Sequence, residues 1–464
     1  MDPADLRGRA RVAAGCRRPR GATVVKPGIP AVARRWWSTG DSGPLGRRGA
    51  VRNLTAQGTA LLIVAVASVL VGRLGGPTVL GEYTLLRVLP WLFGVVFSCG
   101  LPVASTFFIA GESRADPRLR PTLAVLAVLG AGVAALLWIA ATPILHRYLF
   151  TAMPARLVAL MAVTVITQLT TVWGKACCQG AADMRGANLV IVCEELMFLP
   201  AYGFASLAGL RGIDAVVAGL AGGGIAAAVT TLGRLGGTGF FRGWSRPSVP
   251  LAYGVMRYGA RGQLGNLLML VNLRLDFVVL GVLAGPAVVG VYAVASKFAE
   301  LMRLPATALN YVLYPRFARL SEAGANADVR RLLRRAVAAT AAMTPVLAGA
   351  SVITLPLLYG PAFRSAVLPA CILLAGLAVE GAAAVASAYL CGRGRPGANS
   401  WGMGAGALVT VALDLVLIPR AGAVGAAVAS SIAYLVTTGL LTTITLGLVR
   451  RSVAVAVPEG GEPA

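Results

Sequence analysis

From Asn53 to Leu448 the chain is a nearly unbroken series of apolar runs of about 20 residues, the length a helix needs to cross ~30 Å of hydrocarbon. Twelve such runs can be drawn, at 54–72, 83–108, 121–142, 155–174, 187–209, 213–233, 256–283, 289–313, 336–357, 366–390, 400–418 and 423–448. With 57% hydrophobic and 13% charged residues among 464, too few polar groups exist to cover a soluble globule. The sequence therefore predicts an all-α polytopic membrane protein. Internal Pro90 and Pro102 in the second run are tolerated in membrane helices and bend them.

The formal charge of +24 would elsewhere suggest nucleic acid, but the basic residues recur between apolar runs and form no patch with interleaved aromatics. Counted by side, 32 Lys and Arg fall with the two tails and alternate loops, against six in the opposite loops. By the positive-inside rule both termini are expected in the cytoplasm of a plasma-membrane protein. Residues 1–52 carry twelve Lys or Arg and no signal-peptide core, and read as a disordered basic cytoplasmic tail. Within it, Arg34-Arg35-Trp36-Trp37 suits an anionic membrane surface, although a loose tail explains it as well.

Metal or hydrolytic chemistry has little to work with. The seven cysteines show no C-x-x-C and no metal spacing, and the single histidine, His146, reads as a solvated loop residue. No catalytic residue, metal or cofactor is expected. Gly392-Arg393-Gly394-Arg395-Pro396-Gly397 fits G-x-G-x-x-G but joins two membrane helices, so it reads as a basic turn. The sequon Asn53-Leu54-Thr55 begins a helix on the cytoplasmic side and is discounted.

An internal repeat organises the count. Gly76-Pro77-x-x-x-Gly81-x-Tyr83 returns as Gly285-Pro286-x-x-x-Gly290-x-Tyr292, and Gly186-Ala187-Asn188 returns as Gly397-Ala398-Asn399. The offsets are 209 and 211 residues, six runs in each case. An even number of crossings gives two like-oriented halves, with a substrate site expected between them. The expected organisation is a six-helix lobe at 53–234, a linker at 235–255, a second lobe at 256–450 and a short tail at 451–464.

Ionisable residues inside the runs mark the candidate site, because each costs at least ~2.5 kcal/mol at membrane depth and so faces a cavity or a partner. In the seventh run Gln263, Asn266 and Arg274 share one helical face, and Arg261, Asn272 and Asp276 lie nearly opposite. In the eighth, Lys297, Glu300 and Arg303 follow at i, i+3 steps. Asp276 and Lys297 fall ~11 and ~12 Å from the outer ends of adjacent helices, and so are plausible salt-bridge partners, for transport or for packing alone. Arg303 and Arg87 are expected to snorkel to the two surfaces. Glu194, Glu195, Glu380 and Asp414 are further acids, open to proton coupling or to packing.

These residues carry a resemblance. Gln263-Leu264, Asn272-x-Arg274-Leu275-Asp276, Ala284-Gly285-Pro286, Val289-Gly290-x-Tyr292 and Leu313-Tyr314-Pro315-Arg316 look like the polysaccharide-transporter branch of the multidrug/oligosaccharidyl-lipid/polysaccharide exporter superfamily. So do Leu358-Tyr359-Gly360-Pro361-Ala362-Phe363 and Gly422-Ala423-Val424-Gly425-Ala426-Ala427, over about residues 53–450. The resemblance implies two six-helix lobes around a central cavity, and a flippase that moves a polyprenyl-diphosphate-linked oligosaccharide to the outer leaflet. Its partners would be that lipid-linked substrate, membrane lipids, and glycosyltransferases or a polymerase of the same pathway. Arg274 and Lys297 would meet the diphosphate, and Gln263, Asn266 and Asn272 the sugar hydroxyls. Two alternatives stay open: a peptidoglycan-precursor flippase, which usually has fourteen helices, and a cation-coupled drug antiporter, whose cavity should be dominated by acids.

Overall fold

The computed structural model describes residues 47–111, 116–151, 153–243 and 245–455; inside its helices, the side chains at 47–51, 261, 262, 264–273, 308, 311, 315, 319, 322 and 452–455 fall outside that description. The basic tail at 1–46 therefore lies outside the described residues, as do the side chains of Arg261, Asn266 and Asn272.

The described residues form helices and turns, with no strand among them. In order these are α1 (Arg47–Phe97), α2 (Leu101–Ala110), α3 (Leu119–Tyr148), α4 (Ala155–Leu160), α5 (Ala162–Gly180), α6 (Met184–Leu196), α7 (Phe198–Leu207) and α8 (Gly212–Gly237). The second half continues with α9 (Val249–Ala284), α10 (Pro286–Ala299), α11 (Arg303–Arg319), α12 (Glu322–Tyr359), α13 (Val367–Leu377), α14 (Glu380–Gly392) and α15 (Pro396–Val455). Among the described residues seven helices, some of them runs of adjoining short ones, are long and apolar enough to cross a membrane, or eight if Pro361–Gly392, bent by 42°, is one broken span.

The expected spans meet several real breaks. α1 is interrupted at Gly76 and α15 at Gly422, each with non-helical dihedrals. At Gly76 the cause is local: Pro77 disfavours α geometry in the residue before it, and glycine alone takes φ 74°, ψ −173° without strain. Pro77 then starts the next helical stretch, where its missing N–H costs nothing. Gly285-Pro286 repeats the device at φ 82°, ψ 171°, and Gly360-Pro361 at φ 100°, ψ 170°. The eighth run is also divided, by a 3₁₀ turn at Glu300–Met302.

Large apolar side chains point away from the protein along these helices, among them Leu62, Val128, Leu207, Ile353 and Leu408 at 69–88% exposure. Water would not tolerate so much apolar surface, whereas lipid does. The buried side chains fall into three clusters. The largest joins both halves of the chain, holding Tyr83, Trp138 and Phe150 with Tyr292, Phe363 and Leu374. A second belongs to the second half, around Phe317, Tyr389 and Leu441. The third packs Leu101, Leu119, Trp173 and Phe240 of the first half with Val255 at the start of α9.

Candidate functional site

The ionic groups of the two halves meet around Lys297. Its ammonium lies 5.9 Å from the centroid of the Tyr83 ring, and among the described residues no carboxylate comes within 4.0 Å of it. Arg87 and Glu195 of the first half, and Arg274 and Glu300 of the second, all act on it electrostatically. The expected Asp276–Lys297 salt bridge is absent. Asp276, 6% exposed, accepts instead from the Tyr292 hydroxyl at 2.7 Å and from the Phe277 N–H at 2.9 Å. Tyr292 lies five residues before Lys297 on the facing helix, and its hydroxyl also sits 3.1 Å from Ser430 Oγ. The two ends matched in depth, but the Asp276 carboxylate is taken up by the Tyr292 hydroxyl, and Lys297 faces the Tyr83 ring.

Neither arginine snorkels. Arg87 pairs with Glu195 at 2.5 Å and donates to the Tyr83 hydroxyl at 2.9 Å. Arg303 pairs with Glu380 at 3.6 Å, with its guanidinium 4.6 Å from the centre of the Tyr434 ring. Glu380 stands at the first position of α14, where the bend in the Pro361–Gly392 span exposes a helix end to a neighbour. The i, i+3 ladder of Lys297, Glu300 and Arg303 does not pair along its own helix: the 3₁₀ turn rotates Glu300 to Arg274, at 3.5 Å. Four cations, Arg87, Arg274, Lys297 and Arg303, thus stand against three paired carboxylates, Glu195, Glu300 and Glu380.

Gln263 is buried, and its Nε2 donates to the carbonyl of Val95 at 2.7 Å, which occupies the amide expected to face a sugar. Glu194 pairs with Lys175 at 3.5 Å. Asp414 differs from the other acids: it is fully buried, and neither carboxylate oxygen has a hydrogen-bond partner among the described residues. His146 lies in the last turn of α3, where Nδ1 sits 3.1 Å from the carbonyl oxygen of Phe150, and is no free loop residue.

A small hollow of about 60 Å³ lies within the first half, and its polar lining comes from Arg87, Thr164, Gln168, Thr171, Glu194 and Glu195. Sequence reasoning passed over its α5 wall. Thr164, Thr167, Gln168 and Thr171 recur at three and four residues, a polar stripe on one helical face, which is the signal that would have found it. Tyr83 and Tyr292 enter the sequence reading only as the ends of the repeated motif, and Tyr434 not at all, yet each touches an ionic group of the site. Away from the apolar spans, Asp183 caps α6 by accepting from Gly186 N–H at 3.0 Å and holds Arg234 through two 2.9 Å bonds. Burial pushes its carboxyl up, but the hydrogen bonds from Arg234 and Gly186 outweigh that and hold it below the usual carboxylate range.

Residues 47–321 match the family described as "Polysaccharide biosynthesis protein". No curated protein sequence matches the chain. Among solved structures, the "Lipid II flippase MurJ, inward closed conformation" superposes with a TM-score of 0.70 at 11% identity, over 89% of this chain and 93% of that one. An inward-facing multidrug-resistance MATE transporter of the MOP superfamily gives 0.67 at 14% identity, over 88% and 100%. A MOP superfamily transporter from Pyrococcus furiosus gives 0.57 at 15%, over 86% and 94%. At these identities the likeness is one of fold: the helical transporter architecture of that superfamily.

Proposed function

The chain belongs to the polysaccharide biosynthesis protein family, and on that premise we propose that it is a flippase which carries a polyprenyl-diphosphate-linked oligosaccharide across the plasma membrane by alternating access. In this reading the twelve runs form two six-helix lobes with both termini cytoplasmic, the breaks at Gly76 and Gly422 being turns between successive crossings. A diphosphate sugar cannot enter hydrocarbon unaided, because shedding its hydration costs far more than its contacts there return. A cation held at membrane depth without a partner offsets that cost.

Lys297 carries the reading. Among the described residues no carboxylate lies within 4.0 Å of it, the charges of Arg87 and Arg274 act on it, and it touches elements of both halves. Arg274 and Arg303 are paired at 3.5 and 3.6 Å, looser than Arg87 at 2.5 Å, and can exchange a carboxylate for a phosphate oxygen. Asp414 is the acid best placed to take a coupling proton, since Glu194, Glu195 and Glu380 are already held by cations.

The test is translocation of a fluorescent polyprenyl-diphosphate oligosaccharide in vesicles holding the full chain. Lys297→Gln is expected to abolish movement while the protein still inserts, and Lys297→Arg to keep part of it. Wild-type movement by Lys297→Gln would remove the lysine from the mechanism and the reading with it.

A further inference from the structure

The duplicated motif has a role that its sequence does not announce. The two copies lie against each other: a Cβ placed on Gly81 would stand 1.7 Å from the carbonyl oxygen of Pro286, and one on Gly290 would stand 2.0 Å from that of Pro77. The contact is reciprocal, the glycine of each copy resting on the proline carbonyl of the other. No side chain of any size fits there, so the helix starts meet backbone to backbone, as small residues permit between membrane helices. The same region is tied across the halves by Arg73, which donates to the carbonyls of Leu357 and Leu358, and by Tyr359, whose hydroxyl lies 3.3 Å from Ser68 Oγ.

A second backbone contact joins the halves, at Gly100 just after α1 and at Gly259 in α9, the helix that precedes Gly285-Pro286. There a Cβ on Gly100 would stand 2.1 Å from the carbonyl oxygen of Gly259, and one on Gly259 would stand 2.7 Å from that of Cys99. Cys99 and Gly100 are consecutive left-handed residues, at φ 47° and 75°, and break the helical run between α1 and α2. The break takes the Cys99 N–H away from the Val95 carbonyl, which accepts from Gln263 instead. Phe107 stacks on Tyr258 at 4.2 Å beside it.

We propose that these are the two latches of the transport path: the repeated Gly-Pro-x-x-x-Gly-x-Tyr pair closes its outer end, and Gly100 on Gly259, with Gln263 on Val95, closes its inner end. The proposal rests on the alternating-access reading above. Both latches are shut in the structure, and a path that opens to one side at a time breaks one while keeping the other. A methyl on Gly290 then holds the outer end open, and a methyl on Gly259 holds the inner end open. The two substitutions must shift accessibility in opposite directions.

The experiment uses the full chain in membranes, with the other cysteines replaced and two reporters read in turn by a membrane-impermeant maleimide. Native Cys99 reports the inner latch, and Val289→Cys, at a side chain buried to 0% exposure, reports the outer one. Gly290→Ala is expected to raise outside labelling of Val289→Cys about tenfold or more, as a minor state becomes the major one, and to leave Cys99 unchanged from inside. Gly259→Ala is expected to do the reverse. Gly58→Ala, where a methyl meets nothing within 4 Å, is expected to change neither. Labelling of both reporters in each variant, or of neither, overturns the proposal. Opposite responses support the latches even if the wild-type chain moves no lipid-linked oligosaccharide in vesicles, a result that would sink the substrate reading alone. Wild-type movement with unresponsive reporters sinks the latches alone.

Discussion

Removing either member of the Arg87–Glu195 pair should destabilise the protein, and the two removals should not cost the same. The pair is close, at 2.5 Å, and its side chains are 26% and 20% exposed. Breaking a buried pair by deleting one partner costs about 3–5 kcal/mol, because the other charge is stranded. The neighbouring polar hollow lets water reach the stranded group, which puts Arg87→Ala near the lower figure, about 3 kcal/mol. Lys297 breaks the symmetry, since the charges of Arg87 and Glu195 both act on it with opposite sign. Once Arg87 is gone, Glu195 still has a cation nearby. Once Glu195 is gone, Arg87 has lost its carboxylate and still faces the Lys297 charge. Glu195→Ala should therefore cost about 1–2 kcal/mol more, the scale of one like-charge pair at several ångströms in an effective dielectric near 20. Arg87→Met with Glu195→Met should recover most of the loss, since replacing both partners by apolar groups is often neutral. Unfolding in detergent, followed by tryptophan fluorescence through a double-mutant cycle, measures each value. A cost below about 1 kcal/mol for both single changes, the value of an exposed pair, would refute the assignment of this pair to the interior.

Three further outcomes follow from the same geometry. Tyr292→Phe removes a hydroxyl that both Asp276 and Ser430 use, and should cost about 1–3 kcal/mol in the same unfolding assay, part of it regained with Asp276→Asn. Asp414→Asn replaces a carboxylate that lacks partners with a neutral group, so it should leave stability equal or higher while flattening the pH dependence of vesicle transport. Asp183 is depressed in the folded chain, so its contribution is present above the unfolded carboxylate value and is lost as the pH falls through the folded one. Below about pH 4 the wild type should therefore lose thermal stability faster than Asp183→Asn, which keeps the cap without the charge.

The long apolar helices and the breaks at Gly-Pro were legible because they depend on run length and on local punctuation. Partner choice was not, because it depends on azimuth as well as depth. Asp276 and Lys297 illustrate the difference. Their depths agreed within a residue, yet the bond goes to Tyr292, since the ring enters from the same helix as Lys297 but from nearer its start. Arg303 and Glu300 show the second obstacle: a single 3₁₀ turn between two α-helical stretches rotates each side chain away from the register that i, i+3 spacing assumes. Arg87 shows a third, since its partner on α6 is 108 residues away in sequence.

The repeat carries more than symmetry of fold. Its last residue is a fully buried tyrosine in both copies, Tyr83 and Tyr292, and in both the hydroxyl meets an ion. In the first copy the ion is a cation: Arg87 donates to the hydroxyl, and Lys297 faces the ring. In the second it is an anion, Asp276, which accepts a hydrogen bond from the hydroxyl. A phenol can accept or donate with equal ease, so one packed position serves opposite charges without moving the backbone. The glycine two residues earlier requires that economy, because while its contact with the opposite proline carbonyl holds, the helices have no room to shift. The backbone contact is thus held in common by the two copies, and their difference in charge, with Lys297 on one side and Asp276 on the other, is written in side chains alone.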